Sequence, residues 1–316
     1  MPRPYAYWQP IDKIGGTPLP SGAFRAAETP APTETGRTAV TRIGVQAMML
    51  KDAFASAGAF ATLREVRAIG YRSVEISQIP LTAATVAELQ RARDELGVEI
   101  AAISAGLAPE DSPGAALEGG LAGIVADARA LGTRTVRIGM LPASAAASPA
   151  ALLDFADRCQ AAAARLRDDG LRLLLHNHHH EFARHDGRLL LDVVAERAPL
   201  LGLELDVHWV QRGGLDPVTT LRRYGERVAL VHLKDYRVGP PADMSGGWSV
   251  HAFTSNVQFA EVGEGNLDFP GIIGTSLALG VDHLLVEQDE RYERSALDCL
   301  RISHDNLVAM GFSDLF

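Results

Sequence analysis

Short runs of apolar residues recur along the chain from Arg42 onward, and they alternate with stretches whose apolar residues are spaced by three and four. The runs are rich in leucine and β-branched residues, which is typical of buried strands. The stretches between them, such as 59–70, 85–97 and 151–170, have the spacing of amphipathic helices, and each of these three ends in glycine. The predicted strands are 42–50, 73–77, 99–106, 135–139, 171–177, 201–207, 228–235 and 283–289.

This alternation predicts a parallel sheet covered by helices, because each strand is apolar on both faces and each connection is long enough for a helix. Eight strand and helix units predict a closed (β/α)₈ TIM barrel over residues 41–316. A doubly wound open sheet would usually carry a glycine-rich phosphate turn after its first strand, and none follows the run at 42–50. We therefore expect one barrel domain.

Residues 1–40 have a different texture. Seven of the seventeen prolines of the chain lie there, at Pro2, Pro4, Pro10, Pro18, Pro20, Pro30 and Pro32. Proline ends helices and removes ladder hydrogen bonds, so this segment is predicted to be an extended arm. Its aromatic residues are suited to pinning it against the barrel or a second subunit, which makes a homo-oligomer one expectation and a loose terminus the other.

Composition narrows the class of protein. The chain has 316 residues, of which 47% are apolar and 22% charged, and this suits a large buried core. Its net charge of −9 argues against binding nucleic acid, because neutralising a polyanion requires a concentrated basic surface. Both cysteines fall in predicted helices and are expected to be core thiols. With no apolar run of membrane-spanning length and no secretory signal pattern, we expect no membrane partner and a cytoplasmic location.

Polar residues cluster where the later strands end. In TIM barrels the chemistry sits at the carboxyl ends of the strands. The polar residues at the ends of strands five to eight are His176, Asn177, His178, Asp206, His208, His232, Lys234, Asp235, Glu287 and Asp289. A single such residue is easily explained by a local hydrogen bond or a helix cap, but neighbouring strands carrying them together point to a shared site.

Strand periodicity sorts these residues by face. Side chains alternate along a strand, so the apolar Val231 and Leu233 should pack outward while His232 and Lys234 point inward. The same alternation sends Asp206 and Glu287 inward. An imidazole and two carboxylates suit Mn²⁺, Zn²⁺, Mg²⁺, Co²⁺ or Fe²⁺, with no thiolate to select a softer metal. One divalent ion that polarises a carbonyl or hydroxyl oxygen is the chemistry indicated.

The motifs carrying these residues resemble those of a known family. The stretches LLLHNHHHEF, LELDVHW, VHLKD, VGEGNLDF and LLVEQD occur in the order and spacing found in xylose isomerase-like TIM barrels described as sugar phosphate isomerases and epimerases. The resemblance is strongest to a branch with a Tyr-His-Asn-His-type motif on strand five, and it runs from about Arg42 to Phe312. It implies a TIM barrel enzyme acting on a small carbohydrate, with manganese as the expected ion.

The resemblance also implies a ligand set. Family members bind one metal through Glu, Asp, His and Glu from strands five to eight, which by position implies Asp206, His232 and Glu287 here. Strand five departs from the family pattern because His176 stands where many relatives have glutamate. His176 is then the expected fourth ligand, with His178 or Glu181 as alternatives, or the metal is held by fewer protein groups.

The departure at strand five bears on mechanism. The epimerases of the family resemble two-base enzymes, so the resemblance implies Glu287 as ligand and base, with His178, Glu181 or another histidine as the second catalytic base. Without a strand-five glutamate, a lyase or dehydratase acting on a keto-sugar, a 3-keto-glycoside or an inosose is the alternative. A DNA endonuclease of the same fold and a non-catalytic sugar-binding barrel are further alternatives, opposed by the acidic charge and the intact ligand trio respectively.

Four more residues are expected to bind substrate. Lys234 is suited to a hydroxyl or phosphate group, or to an ion pair with Asp235 or Glu204. Glu75 is expected to contact substrate or to pair with Arg137 on strand four. His208 lies just beyond strand six, and Trp248 lies in the stretch 236–268, which is long enough for an active-site lid.

Overall fold

The computed structural model describes residues 41–111, 114–239, 247 and 256–316. The predicted N-terminal arm (1–40) and Trp248 lie outside the described residues. The eight predicted strands all occur and close into one parallel barrel, which confirms the predicted fold. The barrel strands are β1 (Arg42–Gln46), β2 (Ser73–Ile76), β3 (Glu99–Ser104), β4 (Thr135–Ile138), β5 (Arg172–His176), β6 (Gly202–Asp206), β7 (Val228–Leu233) and β8 (His283–Val286).

Helices surround the barrel, and they lie between the strands as the apolar spacing predicts. They are α1 (Lys51–Ala57), α2 (Ala59–Ile69), α3 (Ala83–Leu96), α4 (Leu117–Leu131), α5 (Ala143–Ala146), α6 (Pro149–Asp168), α7 (Leu190–Arg197), α8 (Val207–Arg212), α9 (Pro217–Tyr224), α10 (Phe269–Ala278) and α11 (Ala296–Ala309). Gly97 and Gly132 end α3 and α4 with φ of 66° and 76°, a left-handed conformation that glycine adopts without steric cost.

Several strands are shorter than the apolar runs predict. Residues 47–50 continue the apolar run of β1 but form a 3₁₀ turn, so the strand ends at Gln46. Within the predicted lid, Asp235–Val238 and Val257–Ala260 pair as an antiparallel ribbon. A second small ribbon joins Arg184–His185 to Arg188–Leu189. Both ribbons were missed because they follow strand ends and lack the alternation of a half-buried strand.

The interior of the barrel is layered. A small apolar cluster, separate from the main core, fills its middle and consists of Ala101, Ala102, Leu174, Leu230 and Leu285. The main core lies between the strands and the helices. The next inward residues along β5, β7 and β8 after Leu174, Leu230 and Leu285 are His176, His232 and Glu287, so polar groups stand directly above an apolar plug. Among the described residues, no helix is both long and apolar enough to cross a membrane.

Close strand packing explains one glycine in β1. A Cβ atom added to Gly44 would lie 2.5 Å from the carbonyl oxygen of Ser73, and a backbone atom has little freedom to move away. We expect Gly44→Ala to lower the free energy of unfolding by about 1–3 kcal/mol through overpacking. Denaturant-induced unfolding followed by circular dichroism measures this change.

Gly123→Ala is the matched control. Gly123 lies on the exposed side of α4, and an added Cβ meets nothing within 4 Å. Alanine should therefore stabilise the helix by about 0.5–1 kcal/mol relative to glycine. Equal effects of the two substitutions would contradict the close approach of β1 to Ser73.

Candidate metal centre and barrel mouth

Four side chains predicted to share a site do converge at the carboxyl ends of β5 to β8. His176, Asp206, His232 and Glu287 each offer a ligand atom, and these atoms lie within 4.8 Å of one another. All four residues are buried. Nδ1 of His232 lies 2.9 Å from Oε2 of Glu287 and 3.8 Å from Oδ2 of Asp206. Nε2 of His176 lies 4.0 Å from the same oxygen of Asp206.

This donor set fits a divalent cation. Bonds of about 2.0–2.2 Å from nitrogen and oxygen ligands to a transition metal place the ligand atoms roughly 3–4 Å apart. The donors are two imidazoles and two carboxylates, which accept Mn²⁺, Zn²⁺, Co²⁺ or Fe²⁺ without selecting one. The buried His/Asp/Glu cluster is thus able to hold a metal.

Asp206 serves both the fold and this cluster. Its Oδ1 accepts a hydrogen bond of 3.0 Å from the backbone N–H of Trp209 and caps the N-terminus of α8. Asn177 accepts the backbone N–H of Asp206 at 3.0 Å and fixes the strand end. Oδ2 is thereby directed at the cluster. Burial raises the pKa of Asp206 to about 6, although the Lys234 ammonium opposes this change.

Glu287 is held from both sides. The side-chain amide of Gln46 donates a hydrogen bond of 2.9 Å to Oε1 of Glu287, and Oε2 lies 2.6 Å from the ammonium nitrogen of Lys234. Gln46 in turn accepts the backbone N–H of Met48, which fixes its amide orientation. Burial favours the neutral acid, but Lys234 and His232 outweigh it and hold the pKa of Glu287 well below its usual range. Glu287 is therefore ionised at neutral pH.

Lys234 has other partners than those considered from the sequence. Its ammonium nitrogen lies 3.0 Å from Oδ2 of Asp206, 2.6 Å from Oε2 of Glu287 and 3.1 Å from Oδ2 of Asp289. These carboxylates raise its pKa in spite of burial, so it stays protonated. An ion pair of Lys234 with Asp235 or Glu204 is not among the contacts in the described part of the chain.

A second cluster lies beside the first. Glu75, Glu204 and His232 also bring potential ligand atoms together, but Arg137 already supplies the cation there. The guanidinium lies 2.6 Å from Glu75 and 3.2 Å from Glu204, so the pairing of Glu75 with Arg137 weighed from the sequence is confirmed. The remaining oxygen of Glu75 lies 3.0 Å from Nε2 of His232. Because both of its oxygens are engaged and it is fully buried, Glu75 is not open to a substrate.

Glu181 lies apart from both clusters. Its two oxygens accept backbone N–H groups of Leu141 at 2.9 Å and of His178 at 2.8 Å, and the side chain is fully buried. The neighbouring His180 contacts the carbonyl oxygen of Leu141 at 3.1 Å. These contacts join the β4 and β5 loops, and they favour a loop-holding role for Glu181 over the catalytic role expected from the sequence.

His178 keeps a free nitrogen. Its ring is 5.0 Å from that of His176 and 5.4 Å from that of Trp209, and its Nδ1 has no hydrogen-bond partner within the described structure. Burial, aided by positive charge nearby, lowers the pKa of His178 to about 2, so the imidazole is neutral. Nδ1 of His178 is therefore unpartnered within the described structure, while burial opposes protonation of the ring.

Aromatic side chains line the mouth on the β6 side. His208 is fully buried and stacks on Phe259 with ring centres 4.8 Å apart, so it does not face a substrate directly. Trp209 contacts the rings of His178, His179 and His208 at 5.4, 5.2 and 4.7 Å, and the Lys234 ammonium lies 5.3 Å from its ring centre. Trp209 was missed because it follows the strand end on a helix, where a tryptophan is usually a packing residue.

Sequence analysis did not identify two further site residues, and the sequence pattern could have revealed one of them. Glu204 stands two residues before Asp206 and so shares its face of β6. Gln46 is the last residue of β1, but the apolar run to 50 hid the strand end. Strand parity identifies Glu204, whereas nothing in the sequence marks where β1 stops.

Comparisons with known proteins agree with this fold. The profile of the xylose isomerase-like TIM barrel family matches residues 63–302. None of the curated proteins compared with the chain matches its sequence.

Solved structures with the same fold include enzymes of two reaction types. A sugar phosphate isomerase/epimerase from Parabacteroides distasonis superposes with a TM-score of 0.68 at 17% identity, covering 90% of this chain and 98% of its own. An L-ribulose 3-epimerase gives 0.62 at 17% identity over 87% and 95% of the two chains. A probable 3-DHS dehydratase from Bacillus anthracis gives 0.62 at 16% identity over 85% and 99%.

Asp235 fixes the loop that carries the VGEGNLDF motif. Its buried carboxylate accepts backbone N–H groups from Tyr236 at 2.8 Å, Gly263 at 3.1 Å, Gly265 at 2.9 Å and Leu267 at 3.3 Å. Asp235→Ala leaves these donors without their acceptor, so the free energy of unfolding should fall by about 2–4 kcal/mol. Urea denaturation measures the loss, and hydrogen exchange should show it concentrated at 263–267.

Asp268→Ala is the control for this prediction. Asp268 caps α10 through a single hydrogen bond of 3.1 Å to the N–H of Gly271 and is more exposed. Its loss should cost about 1 kcal/mol. A loss for Asp235→Ala no greater than this would show that the four hydrogen bonds do not hold the loop.

Proposed function

Because the chain belongs to the xylose isomerase-like TIM barrel family, we propose that it is a divalent-metal-dependent isomerase or epimerase of a sugar or sugar derivative. The reaction is proton transfer at the carbon next to a carbonyl. The observation that carries the proposal is the buried cluster of His176, Asp206, His232 and Glu287 at the carboxyl ends of four neighbouring strands. Such a position is where TIM barrel enzymes hold their reacting groups.

The four residues of this cluster are the proposed metal ligands, with manganese as the expected ion and zinc, magnesium, cobalt or iron as alternatives. A bound divalent ion supplies a Lewis acid for the carbonyl or hydroxyl oxygen of the sugar. Charge supports the assignment. In the described part of the chain, two permanent cations, Arg137 and Lys234, face five carboxylates, Glu75, Glu204, Asp206, Glu287 and Asp289. Burial lowers the pKa of His232, but Glu204, Glu287 and Glu75 raise it well above its usual range, so this ring adds to the positive charge when no metal is bound.

Glu287 and His178 are the proposed bases. Glu287 is the ionised carboxylate of the cluster, and its Oε1 and Oε2 contact Gln46 and Lys234, so one of these contacts must open before Glu287 accepts a proton. His178 is the proposed second base because its Nδ1 is unpartnered within the described structure. Burial lowers its pKa to about 2, so the pKa must rise on substrate binding for the ring to hold a proton. Glu181, whose two oxygens accept backbone N–H groups of Leu141 and His178, is proposed to hold the β4 and β5 loops instead.

Lys234 and Trp209 are the proposed substrate contacts. The Lys234 ammonium stays protonated beside Asp206 and Glu287 and is placed to donate to an oxygen on which negative charge develops. Trp209 is partly exposed among the histidines of the mouth, and its indole face is suited to the apolar face of a sugar ring. Glu75 and His208, expected from the sequence to bind substrate, are proposed to support this surface from behind, since both are fully buried.

A lyase or dehydratase is the second candidate. The observation that favours it is the histidine at the strand-five position together with the engagement of Glu181, since the cluster then offers Glu287 as its one carboxylate base beside His178. Elimination from a keto-sugar, a 3-keto-glycoside or an inosose needs one base and one acid, and Glu287 with the Lys234 ammonium supplies both.

Metal content is the first test of the proposal. We expect the purified protein to hold about one divalent ion per chain after equilibration with Mn²⁺, Zn²⁺, Mg²⁺, Co²⁺ or Fe²⁺ in turn and gel filtration, measured by elemental analysis. Asp206→Ala should lose the ion, since it removes a ligand from the centre of the cluster. Asp298→Ala, an exposed carboxylate paired with Arg301 on α11, is the control and should retain it. Failure of the wild type to take up any of the five ions would refute the metal centre.

Solvent isotope exchange separates the two reactions. With keto-sugars in D₂O, an epimerase should incorporate deuterium at the carbon next to the carbonyl, whereas a dehydratase yields an unsaturated ketone with new ultraviolet absorption. We expect His178→Ala to lower the rate of epimerisation by roughly 10²–10⁴-fold, as loss of a catalytic base does, with metal content unchanged. Exposed His179 is the matched control, and His179→Ala should have little effect. An unsaturated product formed equally well by His178→Ala would favour the lyase.

A further inference from the structure

Glu204 lies behind the metal cluster rather than in it. It is two residues before Asp206 on β6, and its Cα stands opposite that of His176 in the pairing of β5 with β6. The side chain is fully buried. Since neighbouring residues in register share a face of the sheet, the carboxylate is delivered to the side of the His176 ring.

Each oxygen of Glu204 meets a different histidine. Oε2 lies 3.2 Å from Nδ1 of His176, and Oε1 lies 3.3 Å from Nε2 of His232. These are ion-pair contacts, since neither Glu204 oxygen has a hydrogen bond of regular geometry in the described structure. The opposite nitrogens of the two rings, Nε2 of His176 and Nδ1 of His232, are those near Asp206 and Glu287. Glu204 therefore contacts both histidines on the side away from the cluster.

Arg137 pairs with Glu204. Its guanidinium lies 3.2 Å from Oε2, so the carboxylate lies between one arginine and two histidines. A carboxylate facing a ligand histidine fixes which ring nitrogen carries the hydrogen, and it raises the basicity of the nitrogen that faces the metal.

We propose that Glu204 is the positioning residue of the metal centre, orienting His176 and His232 together and supplying through His176 the negative charge that a strand-five carboxylate ligand would supply directly. This inference rests on the proposed metal function. Glu75 performs the same task for one ring only, because it contacts His232 at 3.0 Å and does not reach His176. Glu75→Gln is accordingly the matched control for Glu204→Gln.

The test measures metal affinity and the geometry of the site, not turnover. Dissociation constants for Mn²⁺ and Co²⁺ come from competition with a chromophoric chelator, and the visible absorption of the Co²⁺ protein reports coordination. Glu204→Gln should weaken binding by roughly 10–100-fold and alter the Co²⁺ spectrum, with a smaller effect of Glu75→Gln. Wild-type affinity and spectrum in Glu204→Gln would overturn the assignment.

A double substitution provides an independent readout. His176→Glu alone places a second carboxylate against Glu204, and like charges this close should weaken metal binding. Combining it with Glu204→Gln removes the repulsion and should restore affinity to near that of the wild type, a gain that a purely structural role of Glu204 does not give. Equal affinities of His176→Glu and the double variant would overturn the proposal.

Folding is monitored by thermal unfolding of the metal-free variants. If Glu204→Gln does not fold, Glu204→Asp serves in its place, since it keeps the charge beside Arg137 but withdraws the oxygens from the histidines. Wild-type affinity in Glu204→Asp would then overturn the assignment. A wild type that binds no metal refutes the proposed function itself, whereas a metal-binding wild type with an indifferent Glu204 refutes this inference alone.

Discussion

The buried carboxylates at the carboxyl end of the barrel determine how the neighbouring side chains are arranged. Carboxylates on β2, β6 and β8 stand above an apolar plug, where water cannot screen them. Burying such charges is costly unless each is paired or hydrogen-bonded. Arg137 and Lys234 pair with them from opposite sides, and His232 stands between, with Nε2 toward Glu75 and Nδ1 toward Glu287. Burial lowers the pKa of His232, but Glu204, Glu287 and Glu75 outweigh it and raise that pKa well above its usual range.

The same constraint explains why so few polar groups near the site are open to a ligand. Glu75, Glu181 and Asp235 each use both carboxylate oxygens on protein partners, and each is buried. Glu75 binds Arg137, Glu181 holds the loops after β4 and β5, and Asp235 holds the loop at 263–267. Among the described residues at the mouth, the buried atoms without a hydrogen-bond partner include Oδ2 of Asp206, Nδ1 of His178 and Nε1 of Trp209. A polar residue at a strand end is therefore informative about the site only after its hydrogen bonds have been counted.

The fold was predictable because it depends on patterns that survive in a single sequence. Apolar runs separated by amphipathic stretches indicate the eight strands, and strand parity places His176, Asp206, His232 and Glu287 on one side. Strand parity also places Glu204 on this inward face. Its contacts, however, depend on the register of β5 with β6, which cannot be deduced from either strand sequence alone. The end of β1 at Gln46 is set by a 3₁₀ turn in an apolar run, so the contact of Gln46 with Glu287 had no local signal. Contacts between loops, such as Glu181 with Leu141, are likewise tertiary.

Four consecutive residues at the end of β7 show how the alternation of side chains along a strand places neighbouring residues in different environments. His232 and Lys234 share the inward face and enter the charged layer, while Leu233 packs into the main core. Asp235 comes one residue later, and its carboxylate holds the backbone of 263–267 instead of joining the cluster. A shift of one residue in the strand would exchange these environments, burying a leucine among carboxylates and an ammonium in the apolar core. The register of β7 is thus fixed by polar and apolar burial together, and the geometry of the site depends on the same pairing that stabilises the barrel.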